Sequence, residues 1–113
     1  MVPAVPAFAW VLLLLAGLLE IVWAIALKQS DGFTRMWPTV ITAVGAAASF
    51  FLLSLAMRAI PVGTAYAIWV GIGAIGIAIF GIAFYGETLS APRILAFGLV
   101  LTGIILLKLT SPG

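Results

Sequence analysis

Glu20 is the residue in this chain whose type and place most plainly call for chemistry. It lies about twelve residues into an apolar run, flanked by Leu18, Leu19, Ile21 and Val22, with no Lys or Arg within a turn of it. A carboxylate in hydrocarbon costs several kcal/mol unless it pairs, takes up a proton or faces water. A proton and an organic cation relieve that cost in mutually exclusive ways, so competition for one acid is enough to make an antiporter. Structural glue between helices is the alternative role.

Helical spacing tells what surrounds the acid. Ala16 and Gly17 precede it by one turn, and Trp23 and Ala24 follow by one turn, so its face is small apart from one indole donor. Tyr66 and Trp69 are three apart in another apolar run, on a stripe that continues through Gly73 and Gly76. Thr42, Gly45 and Ser49 share a face of a third run. Aromatic residues in membrane helices commonly anchor at the interface or pack. That reading competes for Tyr66, near the start of its run, more than for Trp69 one turn deeper. Ser49 alone says little, since serine often bonds between membrane helices.

These residues need a membrane to work in. Of the 113 residues 65% are hydrophobic and 7% charged, too apolar for a soluble domain of this length. Four apolar runs, Phe8 to Leu27, Trp37 to Met57, Val62 to Tyr85 and roughly Ile94 to Leu107, stand between short polar breaks. Read as helices of about 8–27, 37–57, 62–85 and 91–109, they form one all-α transmembrane domain over 1–113, the last span needing its flanks to reach the required length. The first run is not read as a secretory signal, because no Lys or Arg precedes it. The absence of Cys and His removes disulfides, thiolate chemistry and the commonest metal ligands, so neither metal nor cofactor is expected. A net charge of +2, scattered along the chain, gives no footing for nucleic acid.

Four spans put Lys28, Arg35 and Arg93 on one side and Arg58 and Lys108 on the other. So even a balance leaves insertion direction nearly undecided, which predicts copies inserted both ways up. Transporters often use two inverted halves around a midplane site, and no internal repeat supplies a second half here. An antiparallel homodimer would supply it; a parallel dimer with biased topology is the alternative. Gly98, Thr102 and Gly103 in the last run offer a small surface, either for dimer contact or for packing within the chain. The stretch Gly71-Ile-Gly73-Ala-Ile-Gly76 spells a dinucleotide-binding fingerprint, but inside a continuous apolar run it means close packing and a bendable helix.

The chain resembles the small multidrug resistance transporters over nearly its whole length after the first seven residues. The stretches that carry the likeness are Gly17-Leu-Leu-Glu20-Ile-Val-Trp23-Ala-Ile-Ala-Leu-Lys28, Gly32-Phe-Thr-Arg35 and Pro61-Val-Gly-Thr-Ala-Tyr66-Ala-Ile-Trp69-Val-Gly-Ile-Gly73. The resemblance implies antiparallel dimers of four-helix subunits that exchange protons for cations across a bacterial inner membrane. Trp23, Ser49 and the glycine run at 71–76 resemble the guanidinium-exporting subtype more than the polyaromatic-drug subtype. It further implies that Glu20 is the shared proton and substrate carboxylate, oriented through hydrogen bonds by Trp23, Ser49, Tyr66 and Trp69. Val70 departs from that subtype, where a threonine is usual. A broader exporter of quaternary ammonium or other hydrophobic cations, and a non-transporting membrane subunit, are the competing functions.

Overall fold

The computed structural model describes residues 5–110 as four helices: α1 (Ala7–Gln29), α2 (Met36–Ala56), α3 (Val62–Phe84) and α4 (Ala91–Leu109). Each is long and apolar enough to cross a membrane. At about 1.5 Å per residue the shortest reaches roughly 28 Å, close to the thickness of a hydrocarbon core. α1 continues two residues past its apolar run, through Lys28 and Gln29, since a helix can carry polar side chains once it reaches the interface.

The turns are tight and locally bonded. Between α1 and α2, Asp31, Gly32 and Phe33 all have positive φ (48°, 68° and 66°), a conformation that costs non-glycine residues about 1–2 kcal/mol each. Ser30, fully buried, holds it: its hydroxyl donates to the Leu27 carbonyl at 2.6 Å and accepts from the Phe33 amide at 3.2 Å. The Ser30 carbonyl accepts from the amides of Thr34 and Arg35. α2 and α3 join through a short segment in which Ile60 is buried and Pro61 precedes the first turn of α3. Just past α3, Gly86 (φ 65°) turns the chain, and the Gly81 carbonyl accepts from the amides of Tyr85 and Glu87. Ser90 caps α4, its hydroxyl accepting from the Arg93 amide, with Pro92 in the first turn where a missing N–H costs nothing.

α1 packs along α2 and α3, whereas α4 packs its backbone only on α3 and has no buried residue. The interior therefore lies between the first three helices. At one end it contains Ala9, Leu13, Leu53, Ala56, Ile60 and Ala65; deeper in come Ala16, Ile68 and Trp69. Small residues let the helices approach closely. A methyl on Gly17 would fall 2.7 Å from Ile72 Cγ2, one on Gly45 would fall 2.9 Å from Trp23 Cβ, and one on Gly76 would overlap the Ile21 side chain.

Candidate functional site

Glu20 points from the middle of α1 into the seam with α3 and is 8% exposed. Its carboxylate lies against Gly73, where the space of a side chain is taken by Glu20 itself: an added Cβ would overlap its Oε1. Among the described residues its oxygens meet no hydrogen-bond donor and no cation, and the one ion pair, Arg93 with Glu87 at 3.6 Å, lies at the membrane edge. No group of three His, Cys, Asp or Glu side chains able to hold a metal comes together among them either.

One turn before Glu20, three helices meet in a buried polar network. Ser49 Oγ of α2 donates to the Ala16 carbonyl of α1 at 2.6 Å. Trp69 Nε1 of α3 donates to Ser49 Oγ at 3.0 Å and shares the Ala16 carbonyl at 3.3 Å. In a regular helix that same carbonyl accepts from the backbone N–H of Glu20. The network thus ties the α1 backbone that carries the acid to both neighbouring helices. Ser49 is fully buried and Trp69 is 4% exposed, so its polar atoms are satisfied where water cannot reach them.

An aromatic row leads away from the network. Phe50 meets Trp69 in a tilted contact with centroids 5.4 Å apart and Trp23 likewise at 6.1 Å, and Tyr66 lies 5.6 Å from Trp69. Tyr66 and Phe50 are more than half exposed. Trp23 turns its Cβ onto Gly45 of α2, and its indole N–H is buried without an acceptor among the described residues.

Of the residues singled out in the sequence, Glu20, Gly17, Gly73 and Gly76 thus meet along the α1–α3 seam, and Ser49 and Trp69 meet on α1 one turn away. Among the described residues no side chain hydrogen-bonds Glu20: Ser49 and Trp69 bond each other and Ala16, Tyr66 touches the Trp69 ring, and Trp23 reaches it only through Phe50. Gly71 turns the other way, onto Ile104 and Val100 of α4. Gly98 and Gly103 have open space where a Cβ would stand. Two participants carried no sequence signal. The Ala16 carbonyl is backbone, invisible to residue type, and Phe50 joins Trp23 to Trp69 from a position that α2 periodicity alone places outside the buried face.

Four helices able to span a membrane, with a carboxylate that meets no partner among the described residues buried between the first three, define a small multi-pass membrane protein. The chain belongs to the Small Multidrug Resistance protein family, whose sequence model matches residues 8–100. It is 59% identical over 103 residues to a guanidinium exporter of Yersinia pestis, covering 91% of this chain and 99% of that one. It is 55% identical over the same length to guanidinium exporters of Citrobacter freundii and Salmonella typhimurium, covering 98% of each.

Proposed function

We propose that this protein is a transporter rather than an enzyme: a proton-coupled antiporter that exports guanidinium or small guanidinyl cations across a bacterial inner membrane. In this reading two copies inserted in opposite senses form a homodimer, and the two Glu20 carboxylates face one shared site. The observation that carries it is Glu20 itself, almost fully shut in apolar surroundings with no donor or cation beside it among the described residues. Such an acid stays charged only when a cation neutralises it. Two acids in one site would titrate as a pair.

Guanidinium suits the arrangement. It is planar, permanently charged and weakly hydrated, and its fork of N–H donors matches carboxylates two at a time. The rings of Trp69 and Tyr66, about one and two turns along α3 from Gly73, add cation–π attraction. Ser49 and Trp69 act by fixing the backbone of α1 one turn before the acid. The close relatives named as guanidinium exporters support the same substrate class.

The test is Glu20→Gln in proteoliposomes. The variant is expected to fold and to lose guanidinium-driven proton movement entirely; exchange that survives would show that another group carries the proton. The pH dependence has a definite sign. Binding of the cation needs the ionised acid and releases its proton, so guanidinium affinity should rise with pH and level off once the acid is fully deprotonated. A flat profile removes the coupling. In the same assay a quaternary ammonium drug should move few or no protons, and a stronger response to it than to guanidinium would favour a broader drug exporter.

A further inference from the structure

The two ends of the bundle carry different kinds of charge. Beyond Glu20 the side-chain acids of the chain are Asp31 and Glu87, both in loops at the end that holds Lys28, Arg35 and Arg93. There, charges and rings answer one another: Arg93 pairs with Glu87, Gln29 donates to the Tyr85 hydroxyl at 3.2 Å, and Lys28 lies 5.4 Å over the Tyr85 ring. The opposite end holds Arg58 and Lys108 and no side-chain acid at all.

At that acid-free end a crevice of about 260 Å³ opens between α1 and α4 with α3 as its floor, lined by Trp10, Leu13, Leu14, Ile68, Ile72, Ile104 and Lys108. It exists because α4 packs on α3 and not on α1. Its walls are aliphatic and its mouth carries a single cation, Lys108, whose Nζ lies 4.7 Å over the Trp10 ring. The Trp10 indole N–H is buried and has no acceptor among the described residues, and an unsatisfied buried donor costs about 1–3 kcal/mol. An apolar slot parallel to the helices, topped by a cation that no anion among the described residues pairs and by a spare N–H, matches one chemistry: an acyl chain joined to an anionic headgroup.

We propose that this crevice binds an anionic phospholipid, with Lys108 on the headgroup phosphate, one acyl chain along Leu14, Ile68, Ile72 and Ile104, and a headgroup oxygen entering beside Lys108 to accept from Trp10. Ordinary interfacial anchoring of Lys and Trp side chains is the rival account. It predicts no dependence on the crevice.

Native mass spectrometry of the full-length protein in detergent, with added phosphatidylglycerol, phosphatidylcholine or inorganic phosphate, separates the two. Phosphatidylglycerol is expected to be retained in preference to phosphatidylcholine. Lys108→Gln should weaken its retention about five-fold, the effect of one basic residue at an anionic surface, while Lys108→Arg keeps it. Leu14→Trp, a substitution at a half-exposed crevice wall, should weaken it with Lys108 still present. Arg58→Gln should leave it unchanged. The site is overturned if Lys108→Gln or Leu14→Trp retains the lipid like the wild type, or if Arg58→Gln weakens it equally. Equal retention of phosphatidylcholine, or displacement by millimolar phosphate as from a free-anion pocket, would overturn it as well. None of these readouts depends on transport.

Discussion

Along α3, glycines receive side chains from two directions: Gly73 and Gly76 take Glu20 and Ile21 of α1, and Gly71 takes Ile104 of α4. On the α1 side the contact belongs to a closed unit, because Gly17 of α1 in turn takes Ile72 of α3, and Ser49 and Trp69 bond across three helices just above. On the α4 side it stands almost alone. α4 has no buried residue, its Thr102 hydroxyl bonds only its own helix, to the Gly98 carbonyl, and Gly98 and Gly103 face open space. The same residue type therefore does two jobs. Between α1 and α3 it makes room for an acid; on α4 it leaves an open, smooth surface, which in the proposed function meets the second copy.

Gly73→Ala should break the first seam most severely. The new methyl would stand where the Glu20 carboxylate lies, so the helices must part or the acid must turn away. Overpacking of this kind costs about 1–3 kcal/mol, and exchange of guanidinium for protons should fall at least about ten-fold, since an ångström of misplacement near the reacting group is worth more than that. Thermal unfolding in detergent and proton flux in liposomes measure the two effects; an unchanged flux would mean that the contact with Gly73 does not place the acid during turnover.

Ser49→Ala comes next. It removes the donor to Ala16 and leaves Trp69 only the longer bond to that carbonyl. Bonds of this kind inside membranes are worth about 0.6 kcal/mol on average and under about 2 kcal/mol at most, so stability should drop by about 1 kcal/mol and exchange by several-fold. Because Ser49 and Trp69 form one network, Ser49→Ala and Trp69→Phe should cost less together than the sum of the two alone. Strict additivity would show that each acts on α1 separately.

The number of helices, and the acid buried among them, could be read in the sequence because both depend on where polarity falls along the chain. Four apolar runs separated by Ser30-Asp-Gly, Pro61-Val-Gly and Gly86-Glu-Thr are a one-dimensional signal, and Glu20 is an exception within it. The three-apart spacing of Tyr66 and Trp69 likewise showed that their rings share a face, and they meet at 5.6 Å. Spacing along one helix could not show how a face turns toward its neighbours. Trp23 sits one turn from Glu20, yet its Cβ packs on Gly45 and its ring on Phe50, because Gly45 lets α2 approach α1 closely there. The glycines at 71 and 73, two residues apart, must lie on different sides of α3 by helix geometry, but only packing shows that one side is α4 and the other Glu20. The Ala16 carbonyl was beyond reach for a simpler reason: every residue has one, and what distinguishes this one is the pair of donors that α2 and α3 bring to it.

Gly98→Ala combined with Gly103→Ala probes the α4 surface, and for the single chain its effect should be the smallest. Neither methyl meets a neighbour, and alanine is the better helix former, so the fold should be unchanged or gain up to about 1 kcal/mol per site. In the proposed dimer the same two methyls would hold apart backbones that small residues allow to approach. The double substitution should therefore leave helix content and single-chain unfolding intact while shifting the monomer–dimer balance toward monomer, as crosslinking in liposomes over a range of protein-to-lipid ratios would show. If association is unaffected as well, the open face of α4 belongs to lipid, and the contrast between the two seams of α3 reduces to one that packs a site and one that merely tethers a helix.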